Sequence, residues 1–406
     1  MTSTATASTA GLDLLIRLGR ALHETGYPTP QLEEALGRVA ARLGLAAQFF
    51  STPTSLFFAF GEGAEQRTHL ERVEPASVDL GRLAALADLL DRIADGALAP
   101  AAALEQVAAM AKRPAPYPAW LVHLSWGVSS GATAVFLGGG PREIAVGAAL
   151  GLTTGVLARQ LERRRRSSRL LEPLAAALAA FLATGAAVAW PPLSIYVATL
   201  AGIIVLIPGF TLTVALSELA LRHLSAGTAR FASALVVFLT LTFGTALGSR
   251  LGELAFGAAA VVVPSSAPPW TELVALAVAP LALTVLFRAP LSAAPWVLLI
   301  GVVGYQGGRL GAVWLSPELG TFLGALAIGL ASSFYERRTG RPSTLPLVPA
   351  ILLLVPGAIG YRSLASLLER DVVLGVEAAF RMLLIAVSLV AGLLLASALA
   401  PERRRG

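Results

Sequence analysis

The chain has 406 residues, of which 55% are hydrophobic and only 14% charged, with a formal charge of +6 and a mean hydropathy of +0.71, where a soluble domain carries about 25% charged residues. This composition excludes a purely soluble protein and a disordered one. The lack of cysteine excludes a disulfide scaffold, thiol catalysis and Cys-ligated metal, and the four scattered histidines make no metal site, so neither metal nor cofactor is expected.

Residues 1–10 are Ser, Thr and Ala after the initial Met and read as a disordered tail without the basic and apolar regions of a signal peptide. From residue 11 the pattern is that of a small α+β domain. Leu12, Leu15, Ile16, Gly19 and Leu22 recur at helical spacing. Thr29 is expected to cap a second helix with Pro30 in its first position, and Leu32, Leu36 and Val39 form its inner face. Short β-type runs follow at 47–52, 54–60 and 68–73, then helices at 80–94 and 104–110. Pro114, Pro116 and Pro118 make a stiff linker that ends this unit near residue 118.

Beyond it the chain changes character. Ten apolar segments of 17 or more residues follow, at about 119–138, 141–158, 171–190, 193–221, 229–249, 271–288, 290–307, 317–335, 345–368 and 375–400. Each is long enough to cross about 30 Å of hydrocarbon as a helix. Starting from inside, the loops on the inner side hold seventeen Arg and Lys residues and the outer loops five. That asymmetry places both termini in the cytosol and makes 251–270 an outer loop and 401–406 a basic cytosolic tail. Although the pI is about 10.2, the basic residues sit in clusters between apolar runs, so no nucleic-acid partner is expected.

The membrane region holds one motif twice. Residues 203–209 read Ile-Ile-Val-Leu-Ile-Pro-Gly and residues 351–357 read Ile-Leu-Leu-Leu-Val-Pro-Gly, with Pro208 and Pro356 148 residues apart. Each lies in the fourth of five segments, so 119–250 and 271–400 read as two five-helix repeats. Five is odd, so the second repeat must be inverted with respect to the first. Proline removes a helical N–H and glycine loosens the backbone, so each motif predicts a broken helix. Broken helices at membrane depth are the binding elements of many secondary transporters. The new half-helices would point their N-termini at a substrate carboxylate. The candidate binding residues are Pro208, Gly209, Thr211, Thr213, Pro356, Gly357 and Tyr361, the hydroxyls selecting a hydroxylated substrate. Small-residue stripes at Gly147/Gly151/Gly155, Gly244/Gly248 and Gly320/Gly324 read first as helix contacts.

Ionisable residues inside the segments are few. Glu218 is either a salt-bridge partner of Arg222 at i+4 or a gate or proton site. Glu369 falls toward the outer face at a pseudo-symmetric position. Arg381 is the deepest arginine, with Glu377 at i−4 as its expected partner. Glu218, Glu369 and Arg381 are therefore the candidates for proton coupling or gating.

The stretches "LGRALHETGYPTPQLEEALGRVAARLGL", "STPTSLFFAFGEG", "LIPGFTLTVALSELALRHLSAGTARF" and "PAILLLVPGAIGYRSLASLLERD" resemble the threonine/serine exporter family (ThrE type) in its single-chain fused form, over residues 11 to about 400. The resemblance implies export of threonine and serine across the cytoplasmic membrane by proton antiport. A related two-chain version implies the alternative of a dicarboxylate such as succinate. A channel or a membrane enzyme are readings from other classes. The hydrolase activity suspected of the family's soluble domain would need a serine–histidine frame. Ser51, Ser55, His23 and His69 stand in no such motif, so no enzyme is expected. The expected partners are a small-molecule substrate, protons and the lipid bilayer, and a homo-oligomer is compatible with the sequence.

Overall fold

The computed structural model describes residues 2–74, 78–163, 170–260, 262, 267–354, 357–368 and 371–400. The N-terminal region is built from α1 (Thr2–Glu24), α2 (Thr29–Arg42), β1 (Ala47–Thr52), β2 (Ser55–Phe60), β3 (Arg67–Arg72), α3 (Leu80–Ala94) and α4 (Pro100–Ala111). The strands form an antiparallel meander in which Phe49 pairs with Phe58 and Phe58 with His69. Its inner face, Leu56 and Phe58, packs on Leu18, Leu22, Leu36 and Val39 of the first two helices and on Leu86 and Leu90 of α3. Directly opposed partners project to the same face of the sheet, so Phe49 and Phe58 lie on the same side.

Three expectations change here. α1 runs back to Thr2, through residues expected as a disordered tail. Ala5, Ala7 and Ala10 are strong helix formers and extend the amphipathic helix behind them. Pro28, with extended backbone, takes the cap position of α2, and Thr29 enters the first turn. The last helix begins at Pro100, not near residue 104, because proline suits a first helical turn.

The remaining helices are α5 (Ala119–Phe136), α6 (Pro141–Glu162), α7 (Leu171–Ala189), α8 (Ile195–Gly202), α9 (Gly209–Ala220), α10 (Leu224–Phe256), α11 (Trp270–Leu286), α12 (Ala294–Trp314), α13 (Pro317–Thr339), α14 (Thr344–Ile351), α15 (Gly357–Leu368) and α16 (Val372–Leu399). Among the described residues, six helices are long and apolar enough to cross a membrane, or seven when the bent pair α8–α9 is taken as one span. α5, α11 and the pair α14–α15 stand outside that count. α10 is longer than its predicted segment and carries 33 residues to Phe256, into the stretch expected as an outer loop.

The outward faces are apolar. Val236, Leu239 and Phe243 on α10, and Val376, Phe380 and Val387 on α16, are all exposed. Water would not tolerate this much contiguous apolar surface, whereas lipid requires it. The chain is a polytopic α-helical membrane protein.

The helix contacts repeat. α5 packs on α6 and α8, α6 on α7 and α8, α7 on α8 and α10, and α9 on α10. Likewise α11 packs on α12 and α14, α12 on α13 and α14, α13 on α14 and α16, and α15 on α16. Adding six to every number in the first set produces the second. Across the middle, α5 meets α11, α9 reaches α16, and α15 reaches α10. The same exchange maps this central set onto itself.

Glycine sets the closest of these approaches. A Cβ on Gly248 of α10 would lie 2.0 Å from the Ala177 carbonyl oxygen of α7. In the corresponding pair, a Cβ on Gly392 of α16 would lie 2.4 Å from the Phe322 carbonyl oxygen of α13. The stripe on α6 meets α5, where a Cβ on Gly151 would lie 2.2 Å from Ser130 Oγ. The glycine stripes are helix contacts.

Candidate functional site

α8 ends at Gly202, a single 3₁₀ turn covers Ile204–Leu206, and Pro208 caps α9, which leaves at an angle of 55°. α9 thus begins at Gly209, and its counterpart α15 begins at Gly357. These two helix starts touch. A Cβ on Gly357 would fall 2.6 Å from Ile207 Cγ2 and 3.6 Å from Gly209 Cα. The two motifs are 148 residues apart in sequence and yet in van der Waals contact, with no room for even a methyl group at Gly357.

The candidate binding residues gather around this contact to different degrees. Pro208, Gly209 and Gly357 are buried in it. Thr213 is buried and its hydroxyl donates to the Gly209 carbonyl at 3.1 Å, which uses its proton within α9. Thr211 is half-buried in the first turn. Tyr361 is buried, with its ring 6.3 Å from that of Tyr196 on α8. Pro356 and Glu369 lie outside the described residues.

At the far end of α9 the expected pairing is replaced. Glu218 is 1% exposed, and its partner is Arg230 rather than Arg222. Arg230 Nε–H donates to both carboxylate oxygens, at 3.0 and 3.2 Å. Arg222 sits in the sharp turn between α9 and α10 with φ 65° and points its exposed side chain elsewhere. That left-handed residue breaks the helical i,i+4 geometry and folds α10 back alongside α9. A second donor comes from the N-terminal region: the Thr29 N–H reaches Glu218 Oε1 at 3.3 Å. First-turn N–H groups have no partner within their own helix, so α2 offers this one to a carboxylate.

More titratable groups lie beside the pair. His223 Nδ1 is 4.0 Å from Glu33 Oε2, and Glu33 Oε1 accepts from the Ser51 N–H at 2.7 Å. Burial pushes the Glu33 carboxyl above its ordinary range, against the pull of the Ser51 N–H and His223. His23 Nε2 meets the Thr52 carbonyl at 3.1 Å. Burial pushes His23 down, the Thr52 carbonyl opposes this, and Arg230 reinforces it.

Arg381 also changes partner. It pairs with Glu318 at the start of α13 at 2.9 Å, and Glu377 is exposed beside it. The pair straddles two helices because α13 and α16 pack side by side. A groove of about 380 Å³ lined by Glu318, Glu377, Phe380 and Arg381 lies there, away from the Pro-Gly contact. A second groove of about 380 Å³, between α6 and α7, is almost wholly apolar.

Two polar sites escape the sequence reading. Glu143 is 1% exposed. It accepts from the Gly140 and Ser194 N–H groups at 2.9 and 2.8 Å, tying α6 to the chain before α8. Its place at the third residue after Gly140 is a legible helix-start signal. Glu272 takes Tyr305 Oη–H at 2.7 Å and Arg309 at 2.6 Å, a triad joining α11 to α12. No spacing rule links residues so far apart. Among the described residues no cluster of His, Asp and Glu is arranged to hold a metal.

Comparison with known proteins adds the following. A family model described as a threonine/serine exporter matches residues 13–252, and a second, described as threonine/serine exporter, ThrE, matches residues 272–399. Pheromone-regulated membrane protein 10 of Candida albicans (strain SC5314) is 26% identical over 360 residues, covering 86% of this chain and 33% of that protein. The protein of the same name from Saccharomyces cerevisiae is 26% identical over 360 residues, 85% of this chain and 46% of that one. An uncharacterized protein, C7D4.12c, of Schizosaccharomyces pombe is 24% identical over 359 residues, covering 85% of this chain and 47% of that protein. The chain thus spans between a third and about half of the length of these relatives. No solved structure matches.

Proposed function

The chain belongs to the threonine/serine exporter family, and from that premise we propose that it is a secondary transporter that exports threonine and serine across the cytoplasmic membrane by proton antiport. We read residues 11–118 as a cytosolic unit, 119–250 and 271–400 as inverted five-span repeats joined by the outer segment 251–270, and 401–406 as a cytosolic tail. Both termini are then cytosolic. The observation that carries this reading is the meeting of the two Pro-Gly helix starts, Gly209 and Gly357, at the centre of a contact pattern that repeats with an offset of six helices. An odd number of spans per repeat makes the halves antiparallel, and alternating access by motion of one half against the other follows from that architecture.

The substrate reading rests on charge. Two half-helix N-termini each carry a partial positive charge and suit one carboxylate. No Lys or Arg lies within two turns of Pro208, and Arg362 is exposed. A second carboxylate would be buried without a counter-charge, at a cost of several kcal/mol. A zwitterion avoids this, its ammonium meeting carbonyls freed at the breaks. Thr211, Thr213 and Tyr361 are the hydroxyl-bearing residues proposed to select threonine and serine, Thr213 as an acceptor because its proton goes to the Gly209 carbonyl. Glu218 and Arg230 stand where α9 reaches the cytosolic side and serve as its gate.

The test is counterflow in proteoliposomes with radiolabelled threonine, with and without a pH gradient. Threonine and serine should compete, valine should compete poorly, and the gradient should drive net flux. Saturable succinate exchange that threonine does not inhibit would replace this substrate by a dicarboxylate. Flux that persists with a proton uncoupler and lacks counterflow would make the protein a channel.

A further inference from the structure

Among the described residues the N-terminal region makes two main contacts with the membrane helices, and these belong to different halves. One is the turn between α9 and α10 in the first half. The other is the turn between α11 and α12, with α14, in the second. The chemistry of the two contacts differs.

The contact with the second half is a shared apolar core. Leu80 and Leu83 of α3 are buried in one cluster with Ala289, Val297, Tyr335 and Leu345. Backbone bonds reinforce it. The Leu80 N–H donates to the Phe287 carbonyl at 2.9 Å, and Tyr117 Oη–H donates to the Ala289 carbonyl. Arg288 pairs with Asp79 at 3.2 Å. The fit leaves no slack, since a Cβ on Gly81 would lie 2.6 Å from the Arg288 carbonyl oxygen. Apolar surface buried this way has no alternative partner when exposed, so the contact resists opening.

The contact with the first half is polar. Among the described residues it includes the Thr29 N–H on Glu218, the Glu218–Arg230 pair behind it, and Glu33 facing His223, with β1 lying alongside α10. The buried apolar cluster of the N-terminal region contains no residue of α9 or α10. Hydrogen bonds and ion pairs of this kind exchange for water at small net cost, provided every group finds a partner in the open state. Glu218 does, because Arg230 belongs to the same half and stays with it when Thr29 withdraws.

We propose that the N-terminal domain is a latch across the two halves, fixed to the second through Leu80 and Leu83 and reversibly closed on the first through Thr29, Glu33, Glu218 and His223. The proposal rests on the reading above, in which the halves move against each other. A body attached to both would block that motion unless one attachment opens. The polar one opens, on the cytosolic side, at the foot of the broken helix whose start lies at the centre. The Glu218–Arg230 pair is then the seat on which the latch closes, and occlusion of the cytosolic side includes this closure.

Two experiments on the full chain in proteoliposomes test this, and the absence of native cysteine makes both direct. In the first, Glu33→Cys and His223→Cys are joined by a short thiol-cleavable crosslinker. Counterflow should be present before crosslinking, lost after it and restored by reduction. Undiminished counterflow in the crosslinked protein would overturn the latch and leave the transporter reading intact. The second needs no transport. Spin labels at Asp88→Cys and Leu224→Cys report the first contact, and labels at Asp88→Cys and Leu291→Cys report the second. Thr29→Pro removes the donor to Glu218 at a helix position where proline is accepted, after a Pro28 whose ψ of 140° already suits a following proline. Combined with His223→Ala, it should broaden the Asp88–Leu224 distance and leave the Asp88–Leu291 distance narrow. Both distances unchanged, or both broadened, would refute the latch. If the uncrosslinked protein exchanges neither amino acid, the substrate reading falls, and the distances alone decide the latch.

Discussion

At the scale of single residues, the Glu218–Arg230 pair makes the sharpest prediction. Glu218 is 1% exposed, and removing Arg230 would leave its carboxylate, among the described residues, with the Thr29 N–H alone. Breaking a buried pair from one side costs about 3–5 kcal/mol, whereas replacing both partners by apolar groups of similar size costs far less. Arg230→Ala should therefore lower the melting temperature in detergent more than the double change Glu218→Leu with Arg230→Met. The opposite order would mean that the carboxylate is solvated. His23 makes a second prediction. Its pKa is pushed down by burial, from an ordinary value of about 6.5. Above that pH both the folded and unfolded forms hold the neutral ring and His23 has no effect. Below it the unfolded chain takes a proton that the folded chain refuses, so stability falls as pH falls, until the depressed folded pKa is reached. Glu33, pushed up, acts in the opposite sense. His23→Gln keeps a donor for the Thr52 carbonyl, so the melting temperature should drop less between about pH 7 and pH 5 in the variant than in the parent. Parallel curves would refute the assignment.

At the scale of elements, the long helices meet where glycine lets backbones touch. Gly248→Ala would drive a methyl onto the Ala177 carbonyl between α7 and α10, and Gly392→Ala onto the Phe322 carbonyl between α13 and α16. Both obstacles are backbone and cannot rotate away. Each variant should lose about 1–3 kcal/mol, read as a lower melting temperature. Gly37 in α2 is the control. Nothing lies within 4 Å of a Cβ placed there. Gly37→Ala should raise stability by about 0.5–1 kcal/mol, because a glycine inside a helix only adds chain entropy to the unfolded state. Element boundaries were legible wherever a residue type dictates backbone geometry. The strands fell within one residue of expectation, and α9 and α15 start at the glycines after Pro208 and Pro356. The misplaced pairings were those drawn along one helix. Glu218 with Arg222 and Arg381 with Glu377 obey i,i+4 spacing, yet a turn at Arg222 and the packing of α13 on α16 supplied Arg230 and Glu318 instead.

At the scale of the whole molecule, the N-terminal region touches the turns 221–223 and 287–293. Both are on the side that the arginine count assigns to the cytosol. The proposed orientation predicts that an impermeant thiol reagent applied to intact cells labels Leu315→Cys but not Ala97→Cys. Both positions are exposed, so access to the reagent reports sidedness. Labelling of Ala97→Cys alone would turn the protein over. The same contacts account for one face of the N-terminal region: the Thr29 N–H meets the buried Glu218–Arg230 pair, and Glu33 faces His223.

The sequence by itself determined the membrane class, the helix starts at Gly209 and Gly357, and the mixture of helices and short strands that precedes the apolar segments. Those features depend on composition, on periodicity and on what proline and glycine do to the backbone next to them, all of which are local. Only the tertiary structure decided that Gly209 and Gly357 touch, that Arg230 and Thr29 share Glu218, and that the N-terminal unit grips one half through an apolar core and the other through polar contacts. The physical reason is that a contact between residues 148 or 189 positions apart is set by how helices pack, and packing depends on shape across many side chains. A buried carboxylate takes whichever donor the fold brings within hydrogen-bond reach, and sequence spacing has no hold over that choice once the chain has turned back on itself.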